Sequence, residues 1–162
     1  MLSHYHTPGF LEGVNLDIGA YLSGFADGEG CFCVSVNRSR RHRFGWEIRP
    51  SFSVSQNRAR ANALQIFKQH LGCGTIRPDS SDETLKFEVR SIDDLTAKVL
   101  HHFERYPLLS EKKADFEKFA DICRMMKAKK HLTKEGLHSI LKLAGEVNRS
   151  GKKKFLRQEI KI

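Results

Sequence analysis

Asp27 and Glu29 flank Gly28 in YLSGFADGEG, residues 21–30, a run otherwise made of apolar, small or glycine residues. Carboxylate oxygens suit a hard cation such as Mg²⁺. A divalent ion held by acids against a nucleic-acid phosphate can activate water and stabilise a leaving oxygen. A plainer reading stays open on spacing alone: Asp27 caps a helix end and Glu29 is a solvated loop acid.

The surrounding segment offers a way to bring two such acids together. Residues 16–27 are helix-compatible, with Asn15 as N-cap and Asp17 favouring the first turn. Ala20, Gly24 and Gly28 recur every four residues and stack on one face without side-chain bulk. Glycine in a helix costs about 1 kcal/mol relative to alanine, so a close helix contact is the expected return. The economical partner is the same helix in a second copy, related by a two-fold axis. The helix ends would converge, and Glu29 would face its twin; two facing carboxylates repel unless protonated or bridged by a cation.

Composition points the same way. The 162 residues carry a formal net charge of +9, which favours a polyanionic partner, nucleic acid above all. The length suggests one domain with a substantial core: an irregular lead-in over 1–14, a domain over 15–148 and a basic tail over 149–162. No apolar run approaches the length of a membrane span, and the N-terminus does not read as a secretory signal. A cytosol-like compartment is expected. Cys31, Cys33, Cys73 and Cys123 match no zinc spacing and are expected to be free thiols in packed or half-buried places. The eight histidines form no metal spacing either.

Period-two alternation marks four strands: 31–37, 46–56, a run starting at 73, and 85–90. Phe32, Val34, Ile48, Phe52, Val54, Phe87 and Val89 form their apolar faces. Pro50 inside the second strand predicts an edge, a bend or a bulge. Helices are expected over 58–71, closed by Gly72, and over about 93–105 and 111–129. A last helix starts near Thr133 and buries Leu137, Ile140, Leu141 and Ala144. Helices would cover the apolar sheet face and leave an open antiparallel face of arginine, asparagine, serine and glutamate. Such a face suits major-groove reading, since arginine matches guanine, asparagine matches adenine, and acids accept from cytosine.

Residues 22–30, LSGFADGEG, resemble the LAGLIDADG motif of homing endonucleases. Ser23, Gly28 and Glu29 stand where the motif spells alanine, alanine and aspartate. FSVSQN (52–57), GCGTIR (72–77), SIDDL (91–95), YPLLSEKK (106–113) and LTKEGLHSILKLAGEVN (132–148) extend the likeness over most of the chain. The resemblance implies an α+β fold with an αββαββα core, whose antiparallel sheet forms a DNA-binding saddle, with extra C-terminal helices. With one motif and no internal repeat, it implies a homodimer on a long, roughly palindromic duplex. The reaction would be Mg²⁺-dependent double-strand hydrolysis across the minor groove, leaving short 3′ overhangs. Mn²⁺ would substitute, and Ca²⁺ would bind without supporting cleavage.

Carried over residue by residue, Glu29 matches the metal-binding acid and Gly28 the residue whose carbonyl can also face metal. Gln56 matches a polar residue near the water network. Lys112 matches the basic residue near the scissile phosphate, with Lys113 adjacent, and Arg60 a second basic group. Asp27 is structural in this pattern. The DNA-reading set is Ser35, Asn37, Arg38, Arg40, Arg43, Glu47, Arg49, Ser51, Ser53, Arg77, Asp79, Lys86, Glu88 and Arg90; Ala20, Gly24 and Gly28 form the dimer interface. Two alternatives share the fold: an RNA-splicing maturase, with intron RNA as partner, and a non-catalytic regulator. The Glu29, Gln56 and Lys112 set favours the enzyme. Organellar (chloroplast or mitochondrial) and prokaryotic hosts both remain open.

Overall fold

Asp17 caps the first helix: its carboxylate accepts from the Ala20 amide at 3.1 Å, and α1 runs Ile18–Glu29. The computed structural model of the chain describes residues 16–79 and 83–147. Asn15, the lead-in over 1–14 and the basic tail over 149–162 lie outside the described residues. Among the described residues no helix is long and apolar enough to cross a membrane.

The chain turns directly from α1 into β1 (Gly30–Arg38). Gly30 permits this, because a Cβ there would stand 2.6 Å from the Ala26 carbonyl oxygen. β1 pairs antiparallel with β2 (Trp46–Asn57), β2 with β4 (Thr84–Val89), and β4 with β3 (Thr75–Pro78), giving the order β1-β2-β4-β3. α2 (Asn62–Leu71) crosses between the two hairpins and ends at Gly72, whose φ of 62° is the left-handed cap a glycine supplies. A short 3₁₀ turn, Arg58–Arg60, precedes α2 where one unbroken helix is expected. Pro50 sits opposite Val34 without a break in register. β4 pairs with β2 only from Phe52 onward, so among the described residues the half of β2 that carries Pro50 has only β1 as a neighbour, and the expected edge is local.

After β4 the chain is helical. α3 (Ile92–Asp94), a π-helical stretch over Leu95–Leu100 and α4 (His101–Arg105) follow one another without interruption. α5 (Lys112–Lys127) and α6 (Lys134–Ala144) complete the layer. These helices cover the apolar sheet face. Phe32 lies at the centre, its ring 5.1 to 5.3 Å from those of Phe52, Phe103, Phe116 and Phe119. Burying an aromatic side chain of this size contributes about 1.5–3 kcal/mol, and the edge-on ring pairs add to it.

One buried polar chain interrupts this core, and it ties α1 to the helical layer. The Ser23 hydroxyl donates to the Tyr106 carbonyl at 2.6 Å and lies 3.1 Å from His102 Nε2. That hydroxyl therefore accepts from Nε2–H, which leaves His102 Nδ1 to accept from His70 Nε2–H at 3.2 Å. Burial, and then His70, push the His102 pKa down to about 4, against a weaker pull from Asp17. In the unfolded chain the imidazole takes its proton near its ordinary value of about 6.5. Between those two values the unfolded state binds more protons, so stability falls as pH drops through that window. His70 is shifted in the same direction, by burial first, and adds to the effect. The urea midpoint is expected to drop clearly between about pH 7 and pH 5, with a shallower drop in His102→Gln. Equal slopes in the two proteins would show that His102 is not the group responsible.

Candidate active site and nucleic-acid interface

Glu29 is the last residue of α1 and is exposed, with the bare, exposed Gly28 before it. β1 begins opposite β2 at the pair Gly30–Val54, so Gln56 lies two residues past the start of β1, opposite Leu85 of β4. Arg60 follows at the same end of the sheet, exposed, in the 3₁₀ turn that the Asn57 side chain caps by accepting from the Ala59 amide at 3.0 Å.

Asp27 brings a distant segment to this end. Its carboxylate accepts from the Leu109 and Ser110 amides, both at 3.0 Å, and from the Ser110 hydroxyl. Partial burial works against the charge, but the Ser110 hydroxyl, the two amides and nearby Lys112 outweigh it and hold the carboxyl below its ordinary range. Asp27 thus belongs to the structure, as its expected capping role implied, although it caps no helix end of its own. The turn it fixes leads into α5 and delivers Lys112, whose Nζ donates to the Ala26 carbonyl at 2.9 Å. A cation at the C-terminal end of α1 also complements the helix dipole. Lys113 points elsewhere: it lines a groove with Phe116, Glu117 and Arg124 on the helical side.

The open sheet face begins beside this cluster. Ser35, Asn37, Arg49, Ser51, Ser53, Arg77, Lys86, Glu88 and Arg90 line one trough on it. Glu47 pairs with Asn37 across the hairpin and bonds Arg49 at 2.9 Å. Asp79 lies at the margin, where its carboxylate accepts from the Ser55 hydroxyl at 3.1 Å.

Three of the expected reading residues are not on this face. Arg38 has the parity of Phe32, Val34 and Val36, and its guanidinium stacks over Trp46 at 3.9 Å from the ring centroid. Arg40 and Arg43 belong to the hairpin connection over 39–45, beyond the strands. Glu88 shares the trough but is only 8% exposed, whereas an outward glutamate is expected to be solvated. Arg77 and Arg90 cover it at 2.9 and 3.0 Å. Burial opposes its charge, yet the two arginines hold its pKa below the ordinary value. Its oxygens are engaged within the chain instead of waiting to accept from a base.

Cys31 and Cys33 also line the trough, and Cys31 is exposed instead of packed. The alternation that selects Ser35 and Asn37 on β1 extends back to both thiols, and that of Ser51 and Ser53 on β2 extends forward to Ser55, so the signal for all three was present. Among the described residues no cysteine is in a disulfide.

Among the described residues, no three His, Cys, Asp or Glu side chains of one chain are grouped to hold a metal ion. Glu29 and the carbonyls at the end of α1 nevertheless form an all-oxygen donor set of the kind Mg²⁺ or Ca²⁺ takes. The donor chemistry fits such an ion, with the remaining ligands left to come from a second copy, from phosphate or from water.

A family model described as LAGLIDADG endonuclease matches residues 22–123. A protein of Neurospora crassa called probable intron-encoded endonuclease 3 is 35% identical over 127 residues, which are 78% of this chain and 24% of that protein. The chain spans about a quarter of the length of the first curated relatives it matches. The crystal structure of a homing endonuclease, I-TnaI, superposes with a TM-score of 0.77 at 38% identity, covering 84% of this chain and 90% of that one. I-SmaMI, bound to an uncleaved DNA target in the presence of calcium ions, superposes with a TM-score of 0.79 at 31% identity, covering 88% of this chain and 48% of that one.

Proposed function

This chain belongs to the LAGLIDADG endonuclease family, and from that membership we propose that it is a site-specific, metal-dependent DNA endonuclease that acts as a homodimer. The observation that carries the proposal is the convergence at the end of α1. Glu29, an exposed carboxylate, ends α1; Lys112 is fixed by its bond to the Ala26 carbonyl in that same last turn; and Gln56 lies on β2 two residues past the pair Gly30–Val54, in a sheet whose open face carries arginines.

Each group has a distinct task in that reading. Glu29 and the Gly28 carbonyl would hold a divalent ion, which would supply water activation and charge neutralisation at the leaving oxygen. Lys112 stands as a fixed positive charge beside the scissile phosphate, where negative charge develops. Its bond to the Ala26 carbonyl fixes its position before substrate arrives. Gln56 orients water, and Arg60 contacts phosphate at the rim. The trough residues select the duplex. Arg40 and Arg43, in the hairpin connection, are assigned to phosphates flanking it, because such contacts position without specifying.

Two observations support the homodimer. Ala20, Gly24 and Gly28 lie on the exposed side of α1, and nothing stands within 4 Å of a Cβ built on either glycine. The chain also corresponds to about half of the DNA-bound neighbour, 48% of it. The relatives named intron-encoded endonucleases support an intron as the host element, with the joined flanks of that intron as target.

The test is a plasmid carrying those joined flanks, incubated with the protein in Mg²⁺ and in EDTA. A linear product in Mg²⁺ alone is expected. Duplex binding without cutting in either Mg²⁺ or Mn²⁺ would replace this reading with that of a regulator or, if intron RNA is bound more tightly, a maturase.

A further inference from the structure

The floor of the trough holds one carboxylate that neither DNA nor solvent can reach freely. Glu88 lies on β4 between Ser53 of β2 and Thr75 of β3, with its side chain 7% exposed. Arg77 Nη2 donates to its Oε2 at 2.9 Å, and Arg90 Nη2 lies 3.0 Å from the same oxygen and 3.2 Å from Oε1. Arg77 comes from β3 and Arg90 from the residue just past the end of β4, and their side chains remain 45% and 64% exposed. Their heads are therefore tethered at the base while much of each side chain stays open above. A guanidinium has five N–H donors in a planar fork, more than these contacts use.

A buried acid on a DNA-facing surface carries a cost. It repels phosphate, and a buried ion pair is weak evidence for stability, because desolvation offsets most of the attraction. Its effect here is geometric: one carboxylate fixes the direction of two forks that would otherwise sweep over the sheet. Bidentate recognition of guanine O6 and N7 needs a fixed fork, whereas phosphate attraction needs only the charge.

Resting on the endonuclease reading above, we infer that Glu88 is a specificity-determining positioning residue. It aligns Arg77 and Arg90 to read guanine at adjacent positions in each half-site, and it limits their use as indiscriminate phosphate contacts.

The experiment is a selection by the full-length protein from a randomised duplex pool in Ca²⁺, run with wild type, Glu88→Gln and Glu88→Asp. Non-specific affinity and its salt dependence are measured in parallel. Wild type is expected to show guanine preferences that Glu88→Gln relaxes about tenfold at one or two positions per half-site only. In that variant non-specific binding should hold or strengthen, with a salt slope steeper by up to about one released ion. Glu88→Asp restores the charge but withdraws the carboxylate, so wild-type non-specific affinity should return without the lost discrimination. Folding of each variant is checked by urea unfolding. If Glu88→Gln fails to fold, Arg77→Lys and Arg90→Lys should each relax one of the adjacent positions that Glu88→Asp relaxes. An unchanged preference profile, or a loss spread evenly over the site, overturns the inference. A wild-type protein that selects no sequence at all overturns the endonuclease reading instead.

Discussion

Glu29→Gln is expected to lower double-strand cleavage at least about a thousandfold, the factor that about 4 kcal/mol of lost transition-state stabilisation represents. Duplex affinity should stay within a few-fold of wild type. The separation follows from where the side chain sits. Glu29 is exposed at the end of α1, outside the core and outside the trough, so the glutamine disturbs neither packing nor the reading face. What it removes is one anionic oxygen from a set suited to a hard cation. Gel shift measures binding, plasmid linearisation measures cutting, and calorimetric titration of Ca²⁺ into the protein–duplex complex measures ion uptake. All three are needed: cleavage and uptake should fall together while the shift persists. Wild-type cutting by the glutamine variant would remove Glu29 from the mechanism and return the plainer reading of a solvated acid.

Much of the scaffold was legible in local pattern. Alternation located β1, β2 and β4, and the apolar positions of α2 and α6 are the ones that face the core. The αββαββα order followed from these, and helices do cover the apolar face. What local pattern could not carry are contacts between residues far apart in sequence. Asp27 meets Ser110 across 83 positions, and Ser23 meets His102 across 79. The choice between Lys112 and Lys113 depended on the same fact. Adjacent lysines are equivalent in a sequence, and only the docking of the 108–111 turn on Asp27 sends one to Ala26 and the other to the helical groove. Arg38 is a different sort of miss: its even parity, shared with Phe32 and Val34, already excluded it from the polar face. Glu88 shows a third limit. Period two assigns a side chain to a face, but its burial there depends on arginines contributed by another strand and by a residue two positions on.

Gly24→Leu is expected to turn a dimer into a folded monomer that no longer makes double-strand breaks. The two sides of α1 make this sharper than an ordinary interface mutation. On the inner side, Gly19 packs so tightly under Tyr106 that a Cβ would overlap the ring, and Gly19→Leu should cost the fold itself. On the outer side, a Cβ at Gly24 meets nothing within 4 Å in one chain. Leucine is also the better helix former, by up to about 1 kcal/mol. Within a single chain the substitution should thus be neutral or stabilising. Its expected adverse effect is to hold apart the two helices that the proposed dimer would pack through their bare faces. Each Glu29 would then lose its twin, and each sheet would reach only half of the duplex site. Sedimentation velocity at concentrations where wild type is dimeric should give the monomer mass, with a melting temperature at or above that of the wild-type chain diluted to monomer. Should Gly24→Leu sediment as a dimer, the glycine face would not be the seam, and the pairing of carboxylates at the end of α1 would lose its structural basis.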